Sequence, residues 1–423
     1  MNKEETLRAV AAAVDGDRAL RRLDELAAIG ADPAGGITRL AFSAEEDAAL
    51  ELVTRWLADA ALAPAYDEFG NLFASSDGNR PGATASLSGS HIDTVPNGGR
   101  YDGALGVVAA IEAVEAMRTA NALPERPLEV VVWRCEEPVR FSQGKVGSLL
   151  FTDQVSLDDL VPLGEPPLDV VSALAAEHRR PRREPSRRVA SCLELHIEQG
   201  RQLENANRAV GVVTAVAAPI RLSVDVRGRA DHSGATPMDD RCDALCAAAE
   251  VILAVEEAGR REAASGSAAT SARVVAQPGT INVVPGEANV LVDVRGIDPA
   301  SMERIVERVR TASAEIGERR AVGLTVTVLS KGAPTLLDRA VVDALADAVR
   351  AVGDEPLLLP SGAGHDAQCL ADIADVAILF VPSVNGASHC PEEETDPVDL
   401  VAGVRALAAG WRSLADRDLS ADF

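Results

Sequence analysis

The sequence predicts an α/β protein whose mostly parallel sheet is interrupted by a smaller α+β domain. Three observations carry this. Before residue 215, strand-like runs alternate with helical ones, the order that builds a sheet covered by helices on both sides. From about residue 220 the pattern changes to hairpin-like strands with two long helices. Near residue 335 the first pattern returns. The chain is therefore divided into residues 1–215 and 334–423, two parts of one α/β domain, and an insert at 216–333.

Residues 7–26 and 43–60 carry apolar side chains at three- and four-residue spacing and are predicted as helices. Residues 65–73 read as a strand or hairpin turning at Gly70-Asn71. A strand-like run at 83–88 leads into GSHIDTVPNGGRYDGALG (89–106), and a helix follows over 105–117. Residues 128–133 form a nearly continuous apolar run, as expected for a strand covered on both faces. LELHIEQGRQLE (193–204) alternates like another strand. In the insert, strands are expected around 220–228, 272–284, 288–297 and 324–329, with helices at 242–258 and 301–316. The last part reads as helix 340–352, strand 357–359, the loop SGAGHDAQ, strand 376–381, the loop PSVNGASHCPEEET, and helix 397–414.

Composition removes several classes of function. The chain has 423 residues, 41 basic and 65 acidic, for a formal charge of −24. That balance argues against nucleic acid or an anionic membrane as partner. No apolar run reaches the roughly 18 residues of a membrane span, and the charged Ala/Leu-rich start lacks the pattern of a signal peptide. The six cysteines are scattered without CxxC pairs and are expected to be reduced, mostly buried thiols of a cytoplasmic protein. The basic stretch RRPRREPSRR (179–188) reads as a solvated loop and receives no function.

Of the six histidines, His91, His196, His232, His365 and His389 stand beside glycine, acid or amide residues in loop-like segments. Residues i and i+2 of a strand share a face, so Asp93 can reach the His91 ring and fix its tautomer, as a metal-bound imidazole requires. The same segment also reads as a polar loop with an incidental histidine. Glu136-Glu137 follows the 128–133 strand, where neighbouring side chains point opposite ways: one carboxylate can bind a metal while the other carries a proton. Together His91, Asp102, Glu137, His196 and His389 form a mixed nitrogen and oxygen set from strand-end loops, where open α/β sheets bind ligands. Five such ligands, one able to bridge, suit two divalent ions of zinc, manganese, cobalt or nickel.

GSHIDTVPNGGRYDGALG, EEPVRF, HIEQG, GRADHSGATPM, TINVVPGEANVLVDVRG, SGAGHDA and VPSVNGASHCPEE, in this order, resemble the M20-type binuclear metallohydrolases. The likeness is narrower to the branch of N-carbamoyl-L-amino acid hydrolases, allantoate amidohydrolases and β-ureidopropionases. It implies that His91 and His196 hold one metal, Glu137 and His389 the other, and that Asp102 bridges them. Glu136 would be the general base for metal-activated water, acting on a ureido acid. The insert would be a lid that dimerises, placing His232 in the partner subunit's site to polarise the substrate carbonyl. Gln199, Asn282, Arg295, Gly362 and Gly364 match substrate-binding positions. One departure stands out: Pro138-Val139 occupies the place of the family's usual Gly-Ser.

The residue types agree with that chemistry. A ureido carbon is a poor electrophile, and activated water, a carbonyl polariser and a carboxylate proton shuttle meet that difficulty. Arg295 offers a planar fork to a carboxylate; a sheet-edge salt bridge is its plainer reading. Two other functions share parts of this pattern. An aminoacylase or dipeptidase would use the same scaffold on an ordinary amide, and a non-catalytic scaffold protein would need none of the ligands.

Overall fold

The computed structural model describes the chain except residues 77–83, 165–167, 170–172, 175–187 and 418–423, so the basic stretch at 179–188 falls almost wholly outside the described residues. Two compact units are present. One comprises Met1–Thr214 and Leu337–Phe423, the other Ala215–Leu336. The α/β class expected from the sequence is borne out, with a mostly parallel central sheet and a separate antiparallel one.

In the first unit, helices α1 (Lys3–Ala12), α2 (Gly16–Ala27) and α3 (Ala44–Asp59) precede the hairpin β1 (Ala63–Tyr66) and β2 (Leu72–Ser75). Then come β3 (Ala85–His91), α4 (Ala104–Thr119), β4 (Leu128–Trp133), α5 (Val146–Phe151), β5 (Val189–Ile197), α6 (Gln202–Ala206) and β6 (Gly211–Val216). The single helix expected over 7–26 is two. Asp15 caps α2 by accepting from Arg18 N at 2.9 Å, and its own N–H bonds the buried Glu112 at 2.8 Å. A side-chain cap that draws off a backbone donor ends one helix and starts the next.

The second unit contains β7 (Ala218–Arg227), β8 (Asp231–His232), α7 (Ala244–Glu262), β9 (Ala268–Gln277), β10 (Val283–Val284), β11 (Glu287–Gly296), α8 (Pro299–Arg320), β12 (Gly323–Lys331) and β13 (Thr335–Leu336). The chain returns to the first unit with α9 (Arg339–Ala351), β14 (Leu357–Ser361), β15 (Asp375–Val381) and α10 (Pro397–Ala415).

The first unit's sheet runs β1-β2-β4-β3-β5-β15-β6. Strands β4, β3, β5 and β15 are mutually parallel. His91 is paired with Trp133 and His196 with Phe380, so the carboxyl ends of four strands meet on one edge. Strand β3 is built of small residues, and its hydroxyls are satisfied within the sheet: Ser88 Oγ donates to Leu193 O at 2.7 Å and Ser90 Oγ to Glu194 Oε1 at 2.6 Å. Short polar side chains that find partners can be buried at little cost.

The antiparallel sheet of the second unit has the order β12-β7-β11-β9. Alternate residues Ile220, Leu222, Val224 and Val226 of β7 and Ala288, Val290, Val292 and Val294 of β11 pack against α7 and α8. The period of two in the strands and the helical spacing in α7 meet in one dry core. Cys135, Cys192 and Cys369 are buried, but Cys242 and Cys390 are half-buried and Cys246 is exposed. The expectation of mostly buried thiols is corrected accordingly: Cys242 precedes α7 and Cys246 lies on its outer face. Among the described residues no helix is long and apolar enough to cross a membrane.

Candidate metal centre

On the shared strand edge, Asp102 is the hub. Its Oδ1 lies 3.1 Å from His196 Nε2 and 3.4 Å from His91 Nε2. Its Oδ2 lies 3.2 Å from His389 Nε2, which is 3.3 Å from Glu137 Oε1. One carboxylate thus faces two donor groups, His91 with His196 and Glu137 with His389, each close enough to close around a cation. Both buried imidazoles are aimed by the main chain: His91 Nδ1 is 3.0 Å from Asp93 O and His196 Nδ1 is 2.9 Å from Ile197 O. Donation from Nδ1 to a carbonyl leaves Nε2 as the ligand atom, the arrangement a divalent ion needs.

The loop geometry behind this is specific. Gly103, at φ +66°, opens α4 beside the ring of His91, and a Cβ there would sit 2.5 Å from the imidazole. Only glycine tolerates both the dihedral and the approach. Cys135, Gln199 and His389 all have φ near +58°. Left-handed backbone at non-glycine residues gathers where side chains are re-aimed for function.

Charge follows the same layout. Burial raises the Asp102 carboxyl, but the charges and hydrogen bonds of three histidines overcome this and hold it well below the usual range. Burial lowers His196, and the Asp102 charge more than reverses it, lifting the ring to about 9. Burial, then the charges of Glu136 and Asp102, push Glu137 up to about 10. The donor set of three imidazoles and two carboxylates fits divalent ions of borderline character.

Other expected residues separate. The Asp93 carboxylate lies within ion-pair reach of the His91 ring, 3.6 Å from Nδ1, and its backbone carbonyl is nearer still. The carboxylate also accepts from Glu136 N at 3.1 Å and Glu137 N at 3.0 Å, fixing the paired-glutamate turn. The Glu136 carboxylate accepts no hydrogen bond from the described residues and lies 3.9 Å from His91 Nε2, raised by burial. Gln199 Nε2 donates to Asp102 Oδ2 at 2.7 Å and is 3.1 Å from Ser388 Oγ. Pro138 is exposed, and Val139 N closes onto Glu137 O at 2.7 Å, so the departure from Gly-Ser leaves both glutamates on the edge.

His232, Asn282 and Arg295 belong to the second unit. His232 pairs with Val283 across the β8–β10 ribbon, and Ser233 N donates to Asn282 O at 3.1 Å, so His232 and Asn282 are neighbours. His232 Nδ1 accepts from Gly234 N and Ala235 N at 3.1 and 3.2 Å, which places the ring's hydrogen on exposed Nε2. Arg295 lies on the inner strand β11 and donates from Nε to Asp293 Oδ2 at 2.7 Å. In the first unit, Gly362 is exposed, while Gly364 stands beside Lys145.

Glu393 was not singled out in the sequence. Its buried carboxylate accepts from Tyr101 N at 2.8 Å, Asp102 N at 3.1 Å and Ser388 Oγ at 3.1 Å, and so holds the Asp102 turn. A Cβ on Gly99 would lie 1.9 Å from it. The Gly98-Gly99 pair was the available signal, but the run Glu392-Glu393-Glu394 does not say which acid turns inward.

The family model of peptidase family M20/M25/M40 matches residues 87–412. The chain belongs to that family. It is 36% identical over 399 residues to the N-carbamoyl-L-amino acid amidohydrolase of Geobacillus stearothermophilus, covering 93% of this chain and 97% of that protein. It is 33% identical to the allantoate amidohydrolase of Escherichia coli K12, covering 92% and 96%. A crystal structure of a hydantoinase/carbamoylase family amidase from Burkholderia multivorans superposes with a TM-score of 0.88 at 32% identity, over 96% of this chain and 99% of that one. The resemblance drawn from the seven motifs is thereby borne out.

Proposed function

We propose that the chain is an amidohydrolase that cleaves the ureido C–N bond of an N-carbamoyl amino acid or a related ureido acid such as allantoate. The observation that carries this is the division of donors around Asp102, with one carboxylate oxygen toward His91 and His196 and the other toward His389, itself beside Glu137. The names of the relatives support the substrate class.

His91 and His196 would hold one divalent ion, Glu137 and His389 a second, with Asp102 shared between them. Such a pair of zinc, manganese, cobalt or nickel ions, when bound, activates water and polarises a carbonyl oxygen. Glu136 is spare in that donor count and has a raised carboxyl, which suits a general base. It would take the proton of the attacking water and deliver it to the leaving nitrogen. Gln199 orients Asp102. Gly362 and Gly364 would leave room for substrate beside His365.

His232 carries its ring hydrogen outward and would donate it to a developing oxyanion. Asn282 beside it, and Arg295 once it turns its fork from Asp293, would take the substrate carboxylate. The second unit would serve as a lid and pair in a two-fold homodimer, His232 completing the partner's site. Exposed Val274 and Val275 on the edge strand β9 suit such pairing. Six free cysteines suit a reducing compartment, the cytoplasm.

Ammonia release from a panel of ureido acids, beside N-acetyl amino acids and dipeptides, tests the reading. Turnover confined to the ureido acids is the expected result. Turnover confined to the acetyl or peptide compounds would overturn it.

A further inference from the structure

Lys145 is a cation to which the chemistry above gives no task. It sits opposite the paired glutamates: Lys145 N donates to Glu136 O at 2.7 Å, and the next two residues bond Cys135 O and Arg134 O at 3.0 and 2.9 Å. Its backbone is left-handed, φ +59°. A lysine has no side-chain device for favouring that conformation, so the local fold imposes it. The half-buried ammonium reaches the other wall of the site, donating to Gln368 Oε1 at 3.0 Å. That same oxygen accepts from His365 N at 3.0 Å, and the His365 ring packs on His196 with centroids 4.7 Å apart. The position of Gly364 Cβ would be 3.1 Å from Nζ.

Lys145 therefore bridges the general-base loop and the loop at 362–368 with one hydrogen bond to a neutral acceptor. An ammonium carries three donors. No carboxylate of the described residues lies within ion-pair reach of it; Glu136 acts on it only through space. Elsewhere in the unit Arg18, Arg22 and Arg134 each meet a glutamate directly. A half-buried cation with unused donors beside a reaction site is suited to an anionic group of the ligand.

We propose that Lys145 forms a subsite for a second carboxylate, so that the preferred substrates are ureido acids of dicarboxylic amino acids. This rests on the ureido reading above, in which the first carboxylate goes to Arg295. The subsite would act by binding alone and leave the bond-breaking steps as they are.

The test compares kcat/KM of metal-loaded wild-type protein for N-carbamoyl-L-glutamate and N-carbamoyl-L-aspartate with that for N-carbamoyl-L-norvaline. At least one dicarboxylate is expected to be preferred by roughly tenfold or more, the scale of a charge-assisted hydrogen bond. In Lys145→Met that ratio should fall by a similar factor, mostly through KM, while Lys145→Arg keeps the larger part of it. Far-ultraviolet circular dichroism and metal content check that the variants are folded. Should the methionine variant not fold, Lys145→Gln takes its place, and the ratio of inhibition constants of N-acetyl-L-glutamate and N-acetyl-L-norvaline against norvaline turnover, compared between it and the wild type, reads the binding preference. Turnover of the norvaline compound with no dicarboxylate preference, or a ratio unchanged in Lys145→Met, overturns the subsite but not the ureido reading. Absence of turnover on every ureido acid overturns both.

Discussion

Both units have an apolar core, and they differ in what else they bury. The second unit packs Ile220, Leu222, Val224, Val290, Val292 and Val309 into an apolar core and keeps most of its charge outside, where Arg319 and Arg320 clasp Glu250. The first unit buries His91, Asp102, Glu137, His196 and His365, and leaves His365 Nδ1 and Asp366 Oδ2 without a hydrogen-bond partner. A buried charge is costly unless it is paired or coordinated. The first unit therefore gathers buried charge at one strand edge, which bound cations would compensate, and among the described residues the second has no such cluster, although Asp293 Oδ1 and three serine hydroxyls there also lack a hydrogen-bond partner.

The contrast is tested most strongly at Glu136. Glu136→Gln should lower turnover roughly 10²–10⁴-fold, the usual worth of a positioned acid or base, while metal content by atomic absorption stays at the wild-type level. Metal loss in step with activity would instead make Glu136 a ligand. Removal of metal by a chelator comes next. If ions bind the folded first unit, loading at a thousand times the dissociation constant stabilises it by about 4 kcal/mol. Scanning calorimetry should show one transition falling on chelation, and a uniform fall of all transitions would dissolve the contrast.

The mirror experiment lies in the dry core. Leu222 is fully buried, and Leu222→Ala should cost about 2–5 kcal/mol through lost burial and a cavity. Metal content should not change, and a drop in it would show the units to be energetically linked. The smallest effect is at the surface. Hydrogen bonds from Arg319 and Arg320 depress the Glu250 carboxyl from 4.5 to about 2 in the folded chain. A depressed carboxyl stabilises the fold above its unfolded pKa, and this is lost as pH falls from about 4.5 toward 2. Glu250→Gln should cost about 1 kcal/mol or less at neutral pH. Chemical denaturation in that acid window should find the difference from wild type shrinking, and a constant difference would refute the ion pair.

The same contrast governs what was legible in the sequence. The sheet class, most elements and the grouping of His91, Asp102, Glu137, His196 and His389 could be read because each rests on local pattern: an apolar run, a glycine-flanked histidine, a pair of acids after a strand. What could not be read depends on three-dimensional choice among equal candidates. Asp93, expected beside the His91 ring, has a second role on the Glu136-Glu137 backbone that no local pattern announces. Glu393 was lost among three consecutive glutamates. Lys145 carries no motif, because its meaning comes from Gln368 and Glu136, far apart in the chain.

The two carbonyls behind His91 and His196 have a consequence for how such a protein can diverge. Because Asp93 O and Ile197 O aim the rings, the ligand directions are written in the main chain at two strand ends. Side chains farther out, away from Gly103 and Glu393, can be exchanged by single-base steps without redirecting either imidazole. A lineage built on this plan can wander through many neighbouring substrates while the directions of these two rings stay fixed.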